Sequence, residues 1–432
     1  MIRCFILLYA VGALTAQPAG PSGSHDPSFE KYPFDRWLGE TDPWRIHWTL
    51  KVPHAELSFH QRLKGAVEVS LDGRDLEPRR GNNKLLLLVQ ISDQAGIHYQ
   101  DHGEVDLSRL DDNIQAANLQ YTWSAFLLPG DYRLAVAIVD TATGEHSTRQ
   151  AQFRVGPPPR ELPPDTWRDL PAVEFVGKQD PPEGWFLPDI HGKLAWGAAV
   201  HSPAHLNVIL NVAPSVPVPG ARRTPSGDLS ALLPTLKAIS QTGSSSVSEH
   251  AELLDLARRK TVFDQKAGHD LEWPRLKDSL GESSTASIDV HSLAERHHDA
   301  QFFVSQVRSM LRASEEPCVL VVLTSPVAFE SGEDLEPVSL EALPACHVFY
   351  IRYTPAQQVR PMERQMAGRG RGRMGGGPMG RTARPLPIVD QLEGTLKPLK
   401  PKVFDVEKPE QVTKALAEIE KALAGSEAHS SR

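Results

Sequence analysis

The sequence LQYTWSAFLLPGDYRLAVAIVDTATGEHSTRQAQFRV at residues 119–155 decides the fold class of the amino-terminal part of the chain. Apolar and polar residues alternate along it, and the alternation stops at Pro129-Gly130 and again at Thr143-Gly144. Alternation gives a strand one apolar face, and these dipeptides are typical of turns between strands. The stretch therefore predicts consecutive antiparallel strands, with Tyr121 and Trp123 in their core.

The same pattern extends upstream of this stretch. Ile46, Trp48 and Leu50 alternate with polar residues, and residues 84–92 form a strongly apolar strand. Short alternating strands with regularly spaced turns are typical of a β-sandwich. We therefore expect an antiparallel β-sandwich over residues 44–156.

Two segments rich in proline or small polar residues flank the predicted sandwich. Residues 17–43 are polar and rich in Pro, Gly and Ser, which indicates a flexible segment. Residues 157–170 contain Pro157-Pro158-Pro159 and Pro163-Pro164, which favour an extended and semi-rigid chain. We therefore place a linker and a domain boundary at 157–170.

The first sixteen residues have the composition of an export signal. Arg3 precedes an apolar run over residues 5–14, and Ala16 follows the run. A positive start, about ten apolar residues and a small final residue are typical of a secretory signal. We expect residues 1–16 to be a cleaved signal peptide and the mature chain to be periplasmic or extracellular; the alternative is a buried amino-terminal strand. No later stretch has the about 20 apolar residues that a membrane helix needs.

The second part of the chain, residues 171–424, mixes strand and helix patterns. Residues 206–212 form an apolar strand, and helical apolar faces follow Asp228, Asp299 and Pro409. Strands that alternate with helices are typical of an α/β domain with a largely parallel sheet. We expect residues 425–432 to form a tail.

A basic insert interrupts this second part at residues 356–386. Seven Arg and one Glu lie between Arg360 and Arg384, among repeated Gly residues and without an apolar period. This composition predicts a disordered loop. A basic loop could bind anionic polymers or membrane head groups, but it lacks the aromatic side chains that stack on bases. Because the chain has a formal net charge of −8, we expect no specific nucleic-acid partner.

Two cysteines begin apolar runs in the second part of the chain. The runs are Cys318-Val-Leu-Val-Val-Leu and Cys346-His-Val-Phe-Tyr-Ile. If they are neighbouring parallel strands, both sulfurs lie at the same end of the sheet, and an oxidising compartment permits a disulfide. The alternative is two small buried side chains.

The order of predicted elements resembles a known family. The second part reads strand, helix, antiparallel hairpin, helices, three strands and a final helix, which resembles the von Willebrand factor type A fold, a Rossmann-like α/β architecture. The run Leu127-Leu-Pro-Gly-Asp-Tyr-Arg-Leu-Ala-Val-Ala-Ile-Val-Asp140 resembles the last strands of immunoglobulin-like modules in exported bacterial proteins with such domains. The resemblance covers residues 45–424 as architecture.

The resemblance implies where a ligand would bind. Many type A domains bind Mg²⁺ through an Asp-x-Ser-x-Ser motif after the first strand, together with a later Asp. Here the matching residues are Asn211-Val212-Ala213-Pro214-Ser215, and the later position falls at Ser325 or Pro326. A hard cation needs charged oxygen ligands, so we expect this site to be free of metal. The candidate binding face consists of Asn211, Ser215, Thr324 and Ser325.

The sequence lacks a recognisable catalytic motif. It contains no G-x-S-x-G, P-loop, H-E-x-x-H or C-x-x-C pattern. The leading hypothesis is therefore an exported, non-catalytic protein-interaction or scaffold protein that needs no cofactor and binds an unknown protein in the cell envelope or outside. The alternatives are a metal-dependent adhesin and a hydrolase whose site the motifs do not reveal.

Overall fold

The computed structural model contains two antiparallel β-sheets, A and B, and one mixed sheet, C, in the part of the chain that it describes. The described residues are 23–40, 46–52, 54–81, 83–157, 162–163, 165–177, 185, 187–195, 204–213, 226–241, 247–268, 270–285, 299–314, 318–327, 337–339, 346–354 and 390–425. The predicted signal peptide, the Arg-rich insert, Ser215 and residues 426–432 of the predicted tail lie outside these ranges.

Sheets A and B are built from strands β1 to β9. These strands are Trp48–Lys51, Glu56–Leu57, Leu63–Asp72, Lys84–Ser92, His98–Asp106, Asn118–Leu127, Gly130–Asp140, His146–Val155 and Val173–Val176. Sheet A has the order β1-β3-β6-β9 with β2 beside β3, and sheet B has the order β5-β4-β7-β8. A short helix, α2 (Gly73–Leu76), follows β3.

The two antiparallel sheets share one core. Alternate residues of β3 (Val67, Val69) and β4 (Leu85, Leu87) are buried together, and Trp123 of β6 lies in the same cluster. Period-two alternation in the sequence therefore gives each sheet one face in this core. The predicted all-β, antiparallel structure of this part is confirmed.

The amino-terminal segment covers the outer face of sheet B. A 3-10 turn (Pro27–Lys31) and helix α1 (Phe34–Trp37) bury Phe29, Phe34 and Trp37. These aromatic rings pack in one cluster with residues of β4 and β7, namely Leu86, Leu88, Ala135, Ala137 and Val139. The prediction of a flexible segment over residues 17–43 is therefore wrong for residues 23–40. Strands β4 and β7 are apolar on both faces, so their outer face is stabilised by an apolar cover.

The predicted linker over 157–170 and the predicted boundary at residue 171 also need correction. Strand β9 pairs antiparallel with β6, so residues 173–176 belong to sheet A. In the linker, Thr166 and Leu170 are buried, and Trp167 packs against both the core between sheets A and B and a core of sheet C. Apolar side chains among the prolines explain why this segment packs instead of extending as a spacer.

Sheet C contains strands β10 to β15. These strands are Ala204–Asn211, Val247–Asp255, Lys260–Gly268, Cys318–Thr324, Cys346–Tyr353 and Lys402–Val406. The order is β12-β11-β10-β13-β14-β15. Only β12 pairs antiparallel, with β11, and the other neighbours are parallel. The predicted α/β part with a largely parallel sheet is confirmed at this level.

Helices cover both faces of sheet C. They are α3 (Ser226–Ser240), α4 (Trp273–Thr285), α5 (Asp299–Arg312), α6 (Leu392–Leu396) and α7 (Pro409–Gly425). Apolar residues of α3, α4 and α7 share a core with Val208 and Val321, whereas residues of α5 and α6 share the opposite core with Ile209 and Val322. Within the described ranges, no helix combines the length and hydropathy needed to cross a membrane.

A disulfide joins two central strands of sheet C. Cys318 of β13 and Cys346 of β14 are register partners with Cα atoms 4.8 Å apart, and their sulfurs are bonded. This Cα separation lies within the range of about 4.4–6.8 Å that disulfides require. The bond fixes the register of the two strands at their amino ends.

A buried glutamine connects the turn between β2 and β3 of sheet A to helix α7, which packs on sheet C. Gln61, which is 0% exposed, lies in the turn between β2 and β3 with a φ of 58°. Its Nε2 donates to the Pro409 carbonyl at 3.2 Å, and its Oε1 accepts from Thr413 Oγ1 at 2.6 Å. Its own carbonyl accepts from Trp167 Nε1 at 2.8 Å. One side chain therefore joins the turn to the first turn of α7.

We predict that Gln61→Ala lowers the free energy of unfolding by about 1–3 kcal/mol, because it removes both side-chain hydrogen bonds from a buried site. Urea denaturation of the full chain measures this change. Gln94→Ala is the matched control, since the exposed Gln94 makes one hydrogen bond, to Asp131. We expect this control to lie within about 0.5 kcal/mol of wild type. Equal losses in the two variants would contradict the role of Gln61.

Candidate functional site

The carboxyl ends of β10 and β13 lie side by side in the middle of sheet C, where Leu210 pairs with Leu323. Helix α3 follows β10 on one face of the sheet, and α5 precedes β13 on the other face. In the strand order, β10 leads to β11 on one side and β13 leads to β14 on the other, so the chain leaves the two carboxyl ends in opposite directions. In open α/β sheets, ligands bind at the carboxyl ends of the strands where the strand order reverses in this way.

Asn211 and Thr324, two of the four residues of the predicted binding face, contact each other directly at this edge. Asn211 Nδ2 donates to Thr324 Oγ1 at 3.0 Å, and Asn211 Oδ1 accepts from the backbone N–H of Ala213 at 3.0 Å. Thr324 Oγ1 donates in turn to the Ser325 carbonyl at 2.7 Å. Both side chains are buried, so a neutral amide and a hydroxyl fix the two strand ends relative to each other.

The remaining predicted residues differ from this pair. Ser325 is buried at 2% exposure, and its Oγ has no hydrogen-bond partner among the described residues. Ser215 lies outside the described residues. The structure thus brings Asn211, Thr324 and Ser325 together beneath the edge of the sheet, where they support its surface and do not form it.

Among the described residues, the hydroxyls of Thr324 and Ser325 have no general base as a hydrogen-bond partner. Thr324 Oγ1 is hydrogen-bonded to an amide and a carbonyl, and Ser325 Oγ has no described partner. A nucleophilic hydroxyl needs a general base within hydrogen-bond reach.

Asp390 lies beside the same edge and was missed from the sequence. Its Oδ1 accepts from the Val327 N–H at 3.3 Å, and its Oδ2 accepts from Tyr350 Oη and Arg352 Nη1, both at 2.8 Å. Burial and the negative charge of Asp390 hold the pKa of the Tyr350 phenol well above its usual range. Because both carboxylate oxygens accept hydrogen bonds, Asp390 is held as part of the scaffold. It follows the Arg-rich insert in sequence, where no apolar period could place it next to β13.

A second buried carboxyl, Glu249, lies on β11. It is 3% exposed, and its Oε1 has no hydrogen-bond partner among the described residues. Burial raises the pKa of Glu249 to about 8, and the negative charge of Asp270 adds to this effect. The folded protein therefore favours the neutral form of this side chain near neutral pH.

Comparisons with known proteins give little further information. No protein-family model matches the chain. No curated protein matches it either. Among solved structures, it is similar to the ApaA protein from Bordetella pertussis at 16% identity over 28% of this chain and 98% of that chain, with a TM-score of 0.18. A second structural-genomics target matches at 19% identity over 28% and 91% of the two chains, with a TM-score of 0.17. TM-scores this low support no conclusion about fold or function.

We predict that Thr324→Val lowers the free energy of unfolding by about 1–3 kcal/mol, because it leaves the buried Asn211 amide without its acceptor. Ser325→Ala is the matched control, since its hydroxyl has no described partner, and its effect should be close to zero. Urea denaturation of both variants provides the comparison. A larger loss in Ser325→Ala than in Thr324→Val would contradict this description of the edge.

We predict that the free energy of unfolding of the wild type falls between pH 5 and pH 8 and that Glu249→Gln reduces this fall. A carboxyl with a raised pKa binds more protons in the folded state than in the unfolded state, so stability is lost as pH rises towards the folded pKa. The expected contribution of Glu249 to the slope is up to about 1.4 kcal/mol per pH unit, and glutamine, which cannot ionise, removes this contribution.

Urea denaturation at several pH values measures this slope. Glu418→Gln is the control, because hydrogen bonds from Lys402 and Lys421 lower the pKa of Glu418 and its titration lies below this range. Parallel stability profiles for wild type and Glu249→Gln would contradict the prediction.

Proposed function

We propose that this protein is an exported, non-enzymatic interaction protein. In this proposal, an immunoglobulin-like sandwich formed by sheets A and B presents a von Willebrand factor A-like domain built on sheet C. The partner is a protein of the cell envelope or the extracellular space, and it binds over the carboxyl ends of β10 and β13.

The strand order of sheet C supports the proposed family. The order β12-β11-β10-β13-β14-β15, with an antiparallel β12 at one edge, agrees with the strand, helix and hairpin sequence expected for a type A fold. The same order is that of doubly wound sheets that bind ligands at the reversal point. The reversal falls between β10 and β13.

The single observation that carries the functional proposal is the Asn211–Thr324 hydrogen bond at this reversal point. The resemblance expects a carboxylate where Asn211 stands, and Asn211 uses both polar atoms of its amide in bonds to the protein. Hard cations need several oxygen ligands, commonly with charged carboxylates among them. A neutral and hydrogen-bonded edge therefore favours direct contact with a protein over a bridging Mg²⁺ ion.

The hydrolase alternative has weaker support. Ser92 Oγ and His98 Nδ1 lie 2.8 Å apart across β4 and β5, but this hydrogen bond is exposed on the surface. A catalytic serine also needs an oxyanion site and an excluded-water environment. We therefore treat the Ser92–His98 pair as a cross-strand surface contact.

We predict that photo-crosslinking amino acids at Ala213 and Val327 capture the same partner in cells that export the full chain. Both positions are partly exposed, and they lie two residues beyond β10 and three residues beyond β13. His347, exposed at the amino end of β14, is the matched control position and should give little or no product. Mass spectrometry identifies the crosslinked protein.

Two results would contradict the proposal. Equal crosslinking from His347, or none from the two edge positions, would exclude the carboxyl edge as the binding face. A yield that depends on added Mg²⁺ would favour the metal-dependent adhesin.

A further inference from the structure

Three metal-binding side-chain types meet on the β11–β12 hairpin, away from the reversal point. His250 and Glu252 lie two residues apart on β11, and Asp264 of β12 is the register partner of Glu252. One ligand atom from each residue lies within 4.8 Å of the others. A period-two strand places residues i and i+2 on the same face, so the hairpin itself brings the three groups together.

The distances agree with a small metal ion among these groups. His250 Nε2 lies 3.1 Å from Asp264 Oδ1 and 3.6 Å from Glu252 Oε1. In a tetrahedral zinc site with bonds of about 2.0–2.2 Å, neighbouring ligand atoms are about 3.4 Å apart. The two measured distances lie on either side of this value.

The negative charges of Glu252 and Asp264 favour a cation next to them. Glu252 and Asp264 are like charges directly opposite each other across two strands, which is destabilising. Glu252 is 5% exposed, and its Oε2 has no hydrogen-bond partner among the described residues. A buried and unpartnered carboxylate oxygen is costly unless a cation or a hydrogen bond satisfies it.

We propose that His250, Glu252 and Asp264 bind one divalent transition-metal ion, with zinc as the best-fitting metal. Imidazole nitrogen and carboxylate oxygen are both donor types that zinc binds, and three protein ligands leave a fourth position for water. An imidazole ligand favours transition metals over Mg²⁺ and Ca²⁺, which prefer oxygen ligands alone. The ion would connect β11 to β12, the edge strand of sheet C. This inference does not depend on the proposed partner surface.

A hydrogen-bonded group without metal is the competing explanation. A hydrogen bond between His250 Nε2 and Asp264 Oδ1 accounts for the same 3.1 Å distance without a metal ion. The two explanations differ in one measurable property, because only the metal site gives saturable binding of one ion per chain.

The test is zinc titration of the untagged, full-length chain after chelator treatment, followed by calorimetry and metal analysis. We expect one equivalent of Zn²⁺ to bind, and cobalt substitution should give the visible absorption of a four-coordinate site. His250→Gln, Glu252→Gln and Asp264→Asn should each weaken binding at least about tenfold, since loss of even an outer-shell partner costs about 10–100-fold. The side chain of Asp264 is 38% exposed, so Asp264→Asn is the variant that perturbs folding least.

Two control variants make the test specific. Glu249→Gln removes another buried, unpartnered carboxyl from the same strand and should leave zinc binding unchanged. His102→Gln changes a separate group, formed with Asp26 and Asp101, and should also leave it unchanged. Absence of saturable zinc binding by the wild type, retention of wild-type affinity by folded Asp264→Asn, or loss of binding only in His102→Gln would overturn the proposal.

Discussion

The parallel pairing of β10 with β13 is the constraint on which the organisation of sheet C depends. Both strands are apolar and almost completely buried, with helices on either face. Such strands are stable only in the interior of a sheet, because either exposed face would leave apolar surface in water. The helices form one layer on each face of this strand pair. The pairing also brings Asn211 and Thr324, at the carboxyl ends of the two strands, into contact.

The second constraint is the junction between sheet A and sheet C. In the turn at residues 59–62, Gln61 and Arg62 are buried, Phe59 packs edge-on against Tyr353, and Arg62 pairs with Glu174 of β9. Burial acts to raise the pKa of the Glu174 carboxyl, but the Arg62 charge and hydrogen bond lower it overall. Removing one partner of such a buried pair leaves an uncompensated charge. Because Gln61 in the same turn is hydrogen-bonded to Pro409 and Thr413 of α7, this junction contains polar contacts as well as the apolar contact of Phe59 with Tyr353.

Local patterns predicted much of this structure, because period-two and helical periodicities depend on residues close in sequence. The antiparallel sheets, the mixed sheet and the strands that begin at Cys318 and Cys346 follow from such patterns, whereas the pairing of those two strands was left open. The packing of distant segments against these sheets did not follow from local patterns. The aromatic rings of Phe29, Phe34 and Trp37 give no periodic signal, so the cover of sheet B was mistaken for a flexible segment.

At the candidate site, too, the features that the sequence did not predict depend on contacts between distant parts of the chain. Asn211 and Thr324 were identified because each ends an apolar strand, and the carboxyl ends of parallel strands meet at one edge. Their burial could not be predicted, since it depends on side chains from distant parts of the chain. The contact of Glu252 with Asp264 was missed because a single sequence does not specify strand register across a hairpin with bulges. Asp390 was missed because it follows the Arg-rich insert, where no apolar period places it next to β13.

Native-state hydrogen exchange, followed by mass spectrometry on the full-length chain, tests the central role of the β10–β13 pair most directly. Amides in the middle of a cooperative sheet exchange only when the whole unit unfolds, whereas edge strands open locally. We expect peptides that cover residues 206–210 and 319–323 to exchange more slowly than those from β12 and β15 at the sheet edges. Faster exchange in β10 and β13 than in these edge strands would contradict the account.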